Sequence, residues 1–176
     1  MSEAIIKKLH DEEINYVDLR FTDPRGKLQH VTFDKSQVNE DFFEDGIMFD
    51  GSSIGGWKAI NESDMVLKPD TSYTTIDPFY QQPTMVMFCD ILEPGSGESY
   101  NRDPRTTAKK AEAFLKSSGI GDAAYLGPEA EFFVFDDVRY STSQQDTGYK
   151  LDSEEMPHNT GSKFEGGNMG HRPGPK

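Results

Sequence analysis

Two short stretches of this sequence carry residues that could do chemistry. The first is FDGSSIGGW at positions 49–57. One carboxylate, Asp50, opens six residues of which only Ile54 is larger than serine, and Trp57, the single tryptophan of the chain, closes them. Glycine-rich turns expose backbone N–H groups to anions, so a phosphate cradle is one use of such a loop. Here it fails: Trp57 separates Gly56 from Lys58, Ala59 stands where a magnesium-binding hydroxyl is needed, and Asp50 would repel a phosphate. Two readings stay open. Either the stretch is a surface turn anchored by a packed Trp57, or Asp50 is offered to a cation or an amine, with small residues letting the loop approach another surface closely.

The second stretch is AYLGPEAEFFVFDD at positions 124–137. Read as a strand, it puts Glu129, Glu131, Phe133 and Phe135 on one face and Ala130, Phe132 and Val134 on the other. Two carboxylates roughly 7 Å apart repel by about 2 kcal/mol at an effective dielectric near 20. Water and salt offset that at a solvated strand end. In a central strand, which the apolar residues on both faces indicate, a hard divalent cation held by these and further oxygen ligands would offset it. Glu129 and Glu131 supply only part of such a shell.

These residues need elements to position them. Ser2 followed by Ile5, Ile6 and Leu9 predicts a capped amphipathic helix ending near Glu13. In NYVDLRFTD the apolar residues Val17, Leu19 and Phe21 alternate with Asp18, Arg20 and Thr22; DPRG supplies a turn, and KLQHVTF returns as a second strand. GIMFD and DMVLKPD are short strands flanking the Asp50 loop, and PTMVMFCDIL is an apolar run suited to a central strand. Together these predict an α+β domain with a sheet of about five strands over residues 1–100. EPGSGES reads as a linker. A new helix then starts with Asp103 as N-cap and Pro104 at its first position, shows Ala108, Ala111, Phe114 and Leu115 on one face, and stops at Gly119; it opens a second region, 101–176. From 137 to 176 there are seven large apolar residues in forty, too few to close a core, so this segment is expected to be disordered or to belong to the front part of something larger.

Composition narrows the function classes. A net charge of -13, with no basic cluster, makes nucleic acid and anionic membrane poor partners. The start lacks an apolar signal region and no run is long enough to span a membrane, so a cytoplasmic location is expected. The single cysteine, Cys89, excludes an internal disulfide and a cysteine-rich zinc site.

Taken in order, the helix and hairpin, FDGSSIGGW, SDMVLKPD, MVMFCDI, NRDPR, GPEAEFFVFD, LDSEE and GNMGHRPGPK closely resemble the first third of bacterial type I glutamine synthetase, from one end of the chain to the other. The resemblance implies an N-terminal β-grasp-like domain followed by the start of a catalytic domain. It implies a ligase that uses ATP to phosphorylate the γ-carboxylate of glutamate and then lets ammonia displace phosphate. It implies sites shared between neighbours in a homo-oligomer, a dodecamer of two stacked hexameric rings, with Asp50 binding ammonium and helping to remove its proton, and Ser53 beside it. Glu131 and Glu129 match ligands of the family's two Mg²⁺ or Mn²⁺ positions, near glutamate and at the ATP phosphates respectively. His10 and His30 read as structural or solvated, His158 and His171 match no metal ligand of the family, and Asp64 is given no direct role. About two thirds of the family's chain has no counterpart here, so these 176 residues alone are expected to be inactive. Two other functions stay open: a relative joining glutamate to an organic amine, and a non-catalytic β-grasp binding or assembly module.

Overall fold

Apolar residues at helical spacing form α1 over Ser2–Asp11, which buries Ile5 and Leu9. The chain leaves it through Glu13, whose φ of 53° is the left-handed turn that closes many helices. The expected hairpin is β1 (Tyr16–Thr22) and β2 (Leu28–Asp34), antiparallel from Tyr16 opposite Asp34 to Thr22 opposite Leu28. A short α2 (Glu40–Glu44), capped by the Asn39 side chain, turns Phe42 and Phe43 into the core. Then come β3 (Ile47–Asp50), β4 (Asp64–Pro69), β5 (Thr75–Ile76) and β6 (Thr84–Leu92). The structure is a computed structural model and describes residues 2–156, 159–161, 163–164 and 167–169.

The sheet has six strands rather than five, in the order β2-β1-β6-β4-β3, with β5 paired to β6. As its apolar run implies, β6 is central: it lies parallel to β1 and antiparallel to β4 and β5. Met85, Met87, Cys89 and Ile91 alternate along β6 onto the core face, each at most 1% exposed. They meet Val17, Leu19, Met65 and Leu67 from the neighbouring strands and Phe42 and Leu9 from the helices. Each such side chain contributes about 1.5–3 kcal/mol by leaving water. Burial pushes the Cys89 thiol well above its ordinary pKa, as expected of an inert core residue.

The helix after the linker is α3 (Pro104–Ser118). Asp103 accepts from the Arg105 and Thr106 N–H groups, Pro104 opens the helix, and Gly119 closes it at φ 69°. Arg105 ties it to the sheet, bonding Asp90 at 2.8 Å and also pairing with Asp70. The apolar face expected along α3 is not packed: Phe114 is 73% exposed, and Thr106 is the residue the helix buries.

The chain divides into two compact units, residues 1–124 and 125–176. Within the second, β7 (Asp137–Thr142) and β8 (Thr147–Asp152) form an antiparallel hairpin, and β9 (Lys163–Phe164) pairs with β10 (Gly167–Met169). Of the two readings of 137–176, disorder is corrected for the described residues of these strands, because backbone pairing in a hairpin needs no apolar core of its own. The strand expected over 124–137 is corrected too: residues 123–135 carry neither helix nor strand. A central strand needs partners on both edges. This one is engaged at its end, where Asp136 N–H donates to the Asp152 carbonyl and the Ser153 hydroxyl to the Val134 carbonyl.

Candidate functional site

Asp50 is the last residue of β3, opposite Asp64 of β4, so the ladder fixes its backbone. The chain then makes a single helical turn over Gly51–Ser53, and Asp50 caps it. One carboxylate oxygen accepts from the Ser52 N–H at 2.8 Å and the Ser52 hydroxyl at 2.6 Å; the other lies 3.3 Å from the Ser53 hydroxyl. The Ser52 hydroxyl and N–H hold the carboxyl below its ordinary pKa of 3.8. Asp50 is thus exposed, ionised and oriented. With Ser53, Phe49, Gln29, His30 and others it lines a depression of about 300 Å³, room for a small cation.

The loop is less free than its composition implies. Gly51 is buried against Met65 and donates to the Ser63 carbonyl at 2.6 Å. Ile54 and Trp57 are 7% and 5% exposed. Trp57 stacks on Phe21 at 5.5 Å and meets Phe49 and Tyr100 edge-on at 6.2 and 5.3 Å. The expected anchoring role of Trp57 holds, and the small residues serve close packing as well as approach. Gly55 and Gly56 alone of the loop's glycines have open space around them.

Glu129 and Glu131 are exposed and lie outside any strand. Phe133 and Phe135 stack, with centroids 6.3 Å apart and planes at 20°, although no strand forms there. Among the described residues, no three His, Cys, Asp or Glu side chains gather as a metal site. His158 and His171 lie outside the described residues.

Sequence reasoning missed two arrangements. Asp18, one of the polar residues in the alternation of β1, is fully buried. It accepts from Arg20 at 2.7 Å, Thr32 at 2.7 Å and His30 Nδ1 at 2.8 Å, while Arg20 reaches on to Asp77 at 2.6 Å. Burial pushes the Asp18 carboxyl up, but these bonds outweigh it and hold the group below 3.8. The sign of this was alternation of opposite charges on one strand face, Asp18 and Arg20, with His30 and Thr32 on the next strand. The second is a set of contacts from residues 93–102 onto the loop's exit: Lys58 bridges the two Glu93 oxygens, and Arg102 donates to the Gly56 and Trp57 carbonyls. Nothing local in the sequence marked those.

Comparison with known proteins adds to this geometry. Residues 13–94 match the family model described as "Glutamine synthetase, beta-Grasp domain", and residues 101–172 match "Glutamine synthetase, catalytic domain". A glutamine synthetase of Rhizobium meliloti (strain 1021) is 64% identical over 172 residues, 98% of this chain and 37% of that protein. One of Salmonella typhimurium (strain LT2) is 54% identical over 175 residues, 99% of this chain and 37% of that protein. Among solved structures, the glutamine synthetase of Plasmodium falciparum aligns with a TM-score of 0.68 and 24% identity, over 94% of this chain and 32% of that one, a likeness of fold. The chain thus spans about 37% of the length of these curated relatives.

Proposed function

Because the chain belongs to the glutamine synthetase family, we propose that it supplies the ammonium-handling loop and two metal-binding carboxylates of an ATP-dependent ligase that makes glutamine from glutamate and ammonia. The observation that carries the reading is the Asp50 carboxylate: exposed, ionised, and aimed by Ser52 and Ser53 from a rigidly anchored turn. Ammonium is mostly protonated at neutral pH and has no lone pair to attack with. An anionic residue at its site both attracts it and takes part in removing its proton. The freed ammonia forms a bond to the γ-carbonyl carbon of γ-glutamyl phosphate as the bond from that carbon to the phosphate oxygen breaks; phosphate leaves, and the nitrogen gives a further proton to the departing phosphate or to water to become the amide. Ser53 steadies Asp50 from the side.

Glu129 and Glu131 are hard oxygen donors and suit Mg²⁺ or Mn²⁺ in kind; two carboxylates fill only part of a six-coordinate shell, so further ligands must complete it. A divalent cation held there would neutralise charge on the phosphoryl group moving from ATP to glutamate. Exposure of both glutamates is in keeping with donors that await the rest of their shell. In this reading residues 1–100 are the β-grasp-like domain and 101–176 the start of the catalytic domain. The assembly is a cytoplasmic dodecamer of two stacked hexameric rings, in which the Asp50 loop of one subunit serves its neighbour.

The test is Asp50→Ala in a complete glutamine synthetase carrying these residues. Ammonia-dependent glutamine formation is expected to fall by roughly a hundredfold or more, with ring assembly and ATP binding kept, because the exposed side chain contributes little burial. Undiminished turnover would remove Asp50 from the chemistry.

A further inference from the structure

The Asp50 turn is held at its two ends by different parts of the chain. At its entrance the β3–β4 ladder sets Asp50 opposite Asp64, and Gly51 N–H bonds the Ser63 carbonyl. At its exit the arm Gly56–Lys58 is gripped by the segment that joins β6 to α3. Arg102 donates to the Gly56 carbonyl at 2.6 Å and lies 3.3 Å from the Trp57 carbonyl. The Lys58 ammonium sits 2.8 and 2.7 Å from the two Glu93 oxygens, and 5.3 Å from the centre of the Tyr100 ring. Tyr100 also packs its edge against Trp57.

The gripping segment is itself fixed. Glu93 N–H bonds the Glu98 carbonyl, Gly97 N–H the Glu93 carbonyl, and Tyr100 N–H the Ile91 carbonyl of β6. Charged donors on carbonyl and carboxylate oxygens are the stronger kind of hydrogen bond, and the half-buried Lys58–Glu93 pair is screened less than a surface pair. From the gripped arm a hydrogen-bonded path runs back to the carboxylate. Trp57 N–H bonds the Ile54 carbonyl, Ile54 N–H bonds the Gly51 carbonyl, and the Ser52 N–H and hydroxyl bond Asp50. Gly56, at φ +87° with open space around it, has no packing of its own to hold the arm.

We propose that Glu93, Tyr100 and Arg102 are positioning residues for Asp50: by gripping the exit arm of its loop they set the turn that aims the carboxylate, and they couple that turn to the segment leading into α3. This rests on the reading that Asp50 handles ammonium. None of the three touches the reacting atoms in that reading. Their influence is on where an anion stands, so it falls on ammonium and spares glutamate and ATP.

The experiment uses Arg102→Ala, Lys58→Glu, Glu93→Lys and the exchanged pair Lys58→Glu with Glu93→Lys, each in a complete glutamine synthetase carrying these residues. Each single change is expected to raise the KM for ammonium roughly tenfold, while KM for glutamate and ATP stays within about twofold. The exchange, which restores the ion pair reversed, is expected to recover most of that loss. In the 176-residue chain, where Trp57 is the sole tryptophan, the single changes are expected to shift its emission to longer wavelength and make it easier to quench, and the exchange to reverse this. If Arg102→Ala fails to fold by circular dichroism, Arg102→Lys, which keeps the charge but loses the planar fork, takes its place with the same expected direction. Folded single variants with an unchanged ammonium KM would overturn the proposal, as would an exchanged pair no better than its parents. Asp50→Ala separates the two levels: if it is inactive while the grip variants match the parent, this inference alone fails, and if it keeps full turnover, the role of Asp50 fails first.

Discussion

Asp50 owes its orientation to a neighbour that has no side chain. A Cβ built on Gly51 would lie 2.3 Å from Met65 Sδ, 2.7 Å from its Cγ and 3.1 Å from the Ser63 carbonyl oxygen. Met65 is fully buried, so it has nowhere to retreat without displacing other core residues. Gly51→Ala is therefore expected to destabilise the chain by about 1–3 kcal/mol through overpacking, read as a lower urea midpoint; an unchanged midpoint would mean that Met65 makes room. Asp18 gives a second residue-scale prediction. Its folded pKa lies below its ordinary value, so the stability it brings is present above pH 3.8 and is lost as pH falls through the lower folded value. Asp18→Asn removes one of the two carboxylates that hold the Arg20 guanidinium, leaving Asp77, and is expected to cost about 1–3 kcal/mol at neutral pH. Denaturation followed from pH 7 to pH 2 should show the variant losing less stability than the parent at the acid end, and parallel curves would place the pH dependence elsewhere.

At the scale of elements, the places where sequence and structure agree share a cause. α1, the β1–β2 hairpin, β3, β4 and β6 are each written in residues a few positions apart, and so are the capping signals of α3. The Asp103 side chain, 1% exposed, takes both the Arg105 and Thr106 N–H groups and the Thr106 hydroxyl. Because the described contacts of α3 concentrate at this end, Asp103→Ala is expected to cost about 1 kcal/mol and to lower the helical signal in far-ultraviolet circular dichroism before the sheet melts. Coincident loss of helix and sheet signals would contradict it. Where sequence and structure part, the missing term is a partner. Residues 124–137 have the alternation of a central strand, but alternation says nothing of which strands lie alongside, and Phe132, Phe133 and Val134 are 62–80% exposed. Asp18 is the opposite case, since alternation alone does not mark a polar residue as buried until the groups that satisfy it, from β2, are known. The Asp50 site was legible as a loop opened by a carboxylate and anchored by Trp57. The grip of Glu93 and Arg102 was not, because it joins residues about 35 to 46 positions apart.

At the scale of the whole molecule, the two kinds of candidate group fall on different units: Asp50 and Ser53 on residues 1–124, Glu129 and Glu131 on residues 125–176. The proposed reading has them meet across a subunit boundary, and the alternative to be tested keeps them in one subunit's site. A head-to-tail ring makes the first arrangement possible, since every interface sets one face of a subunit against the other face of the next. The two arrangements differ in what mixing does. Asp50→Ala and Glu131→Ala are each expected to inactivate a complete enzyme built from one variant alone. If a site takes Asp50 from one subunit and Glu131 from the next, random co-assembly of equal amounts leaves about a quarter of the boundaries with both intact. Glutamine formation should then return in the mixture to roughly that fraction of the parent rate, and only after subunits have been dissociated and reassembled together. Mass spectrometry of differently labelled subunits would verify that the rings are mixed. Verified mixed rings that stay inactive would place Asp50 and Glu131 in the site of a single subunit, and the close-packed turn at Gly51 would then serve to hold its carboxylate for its own chain.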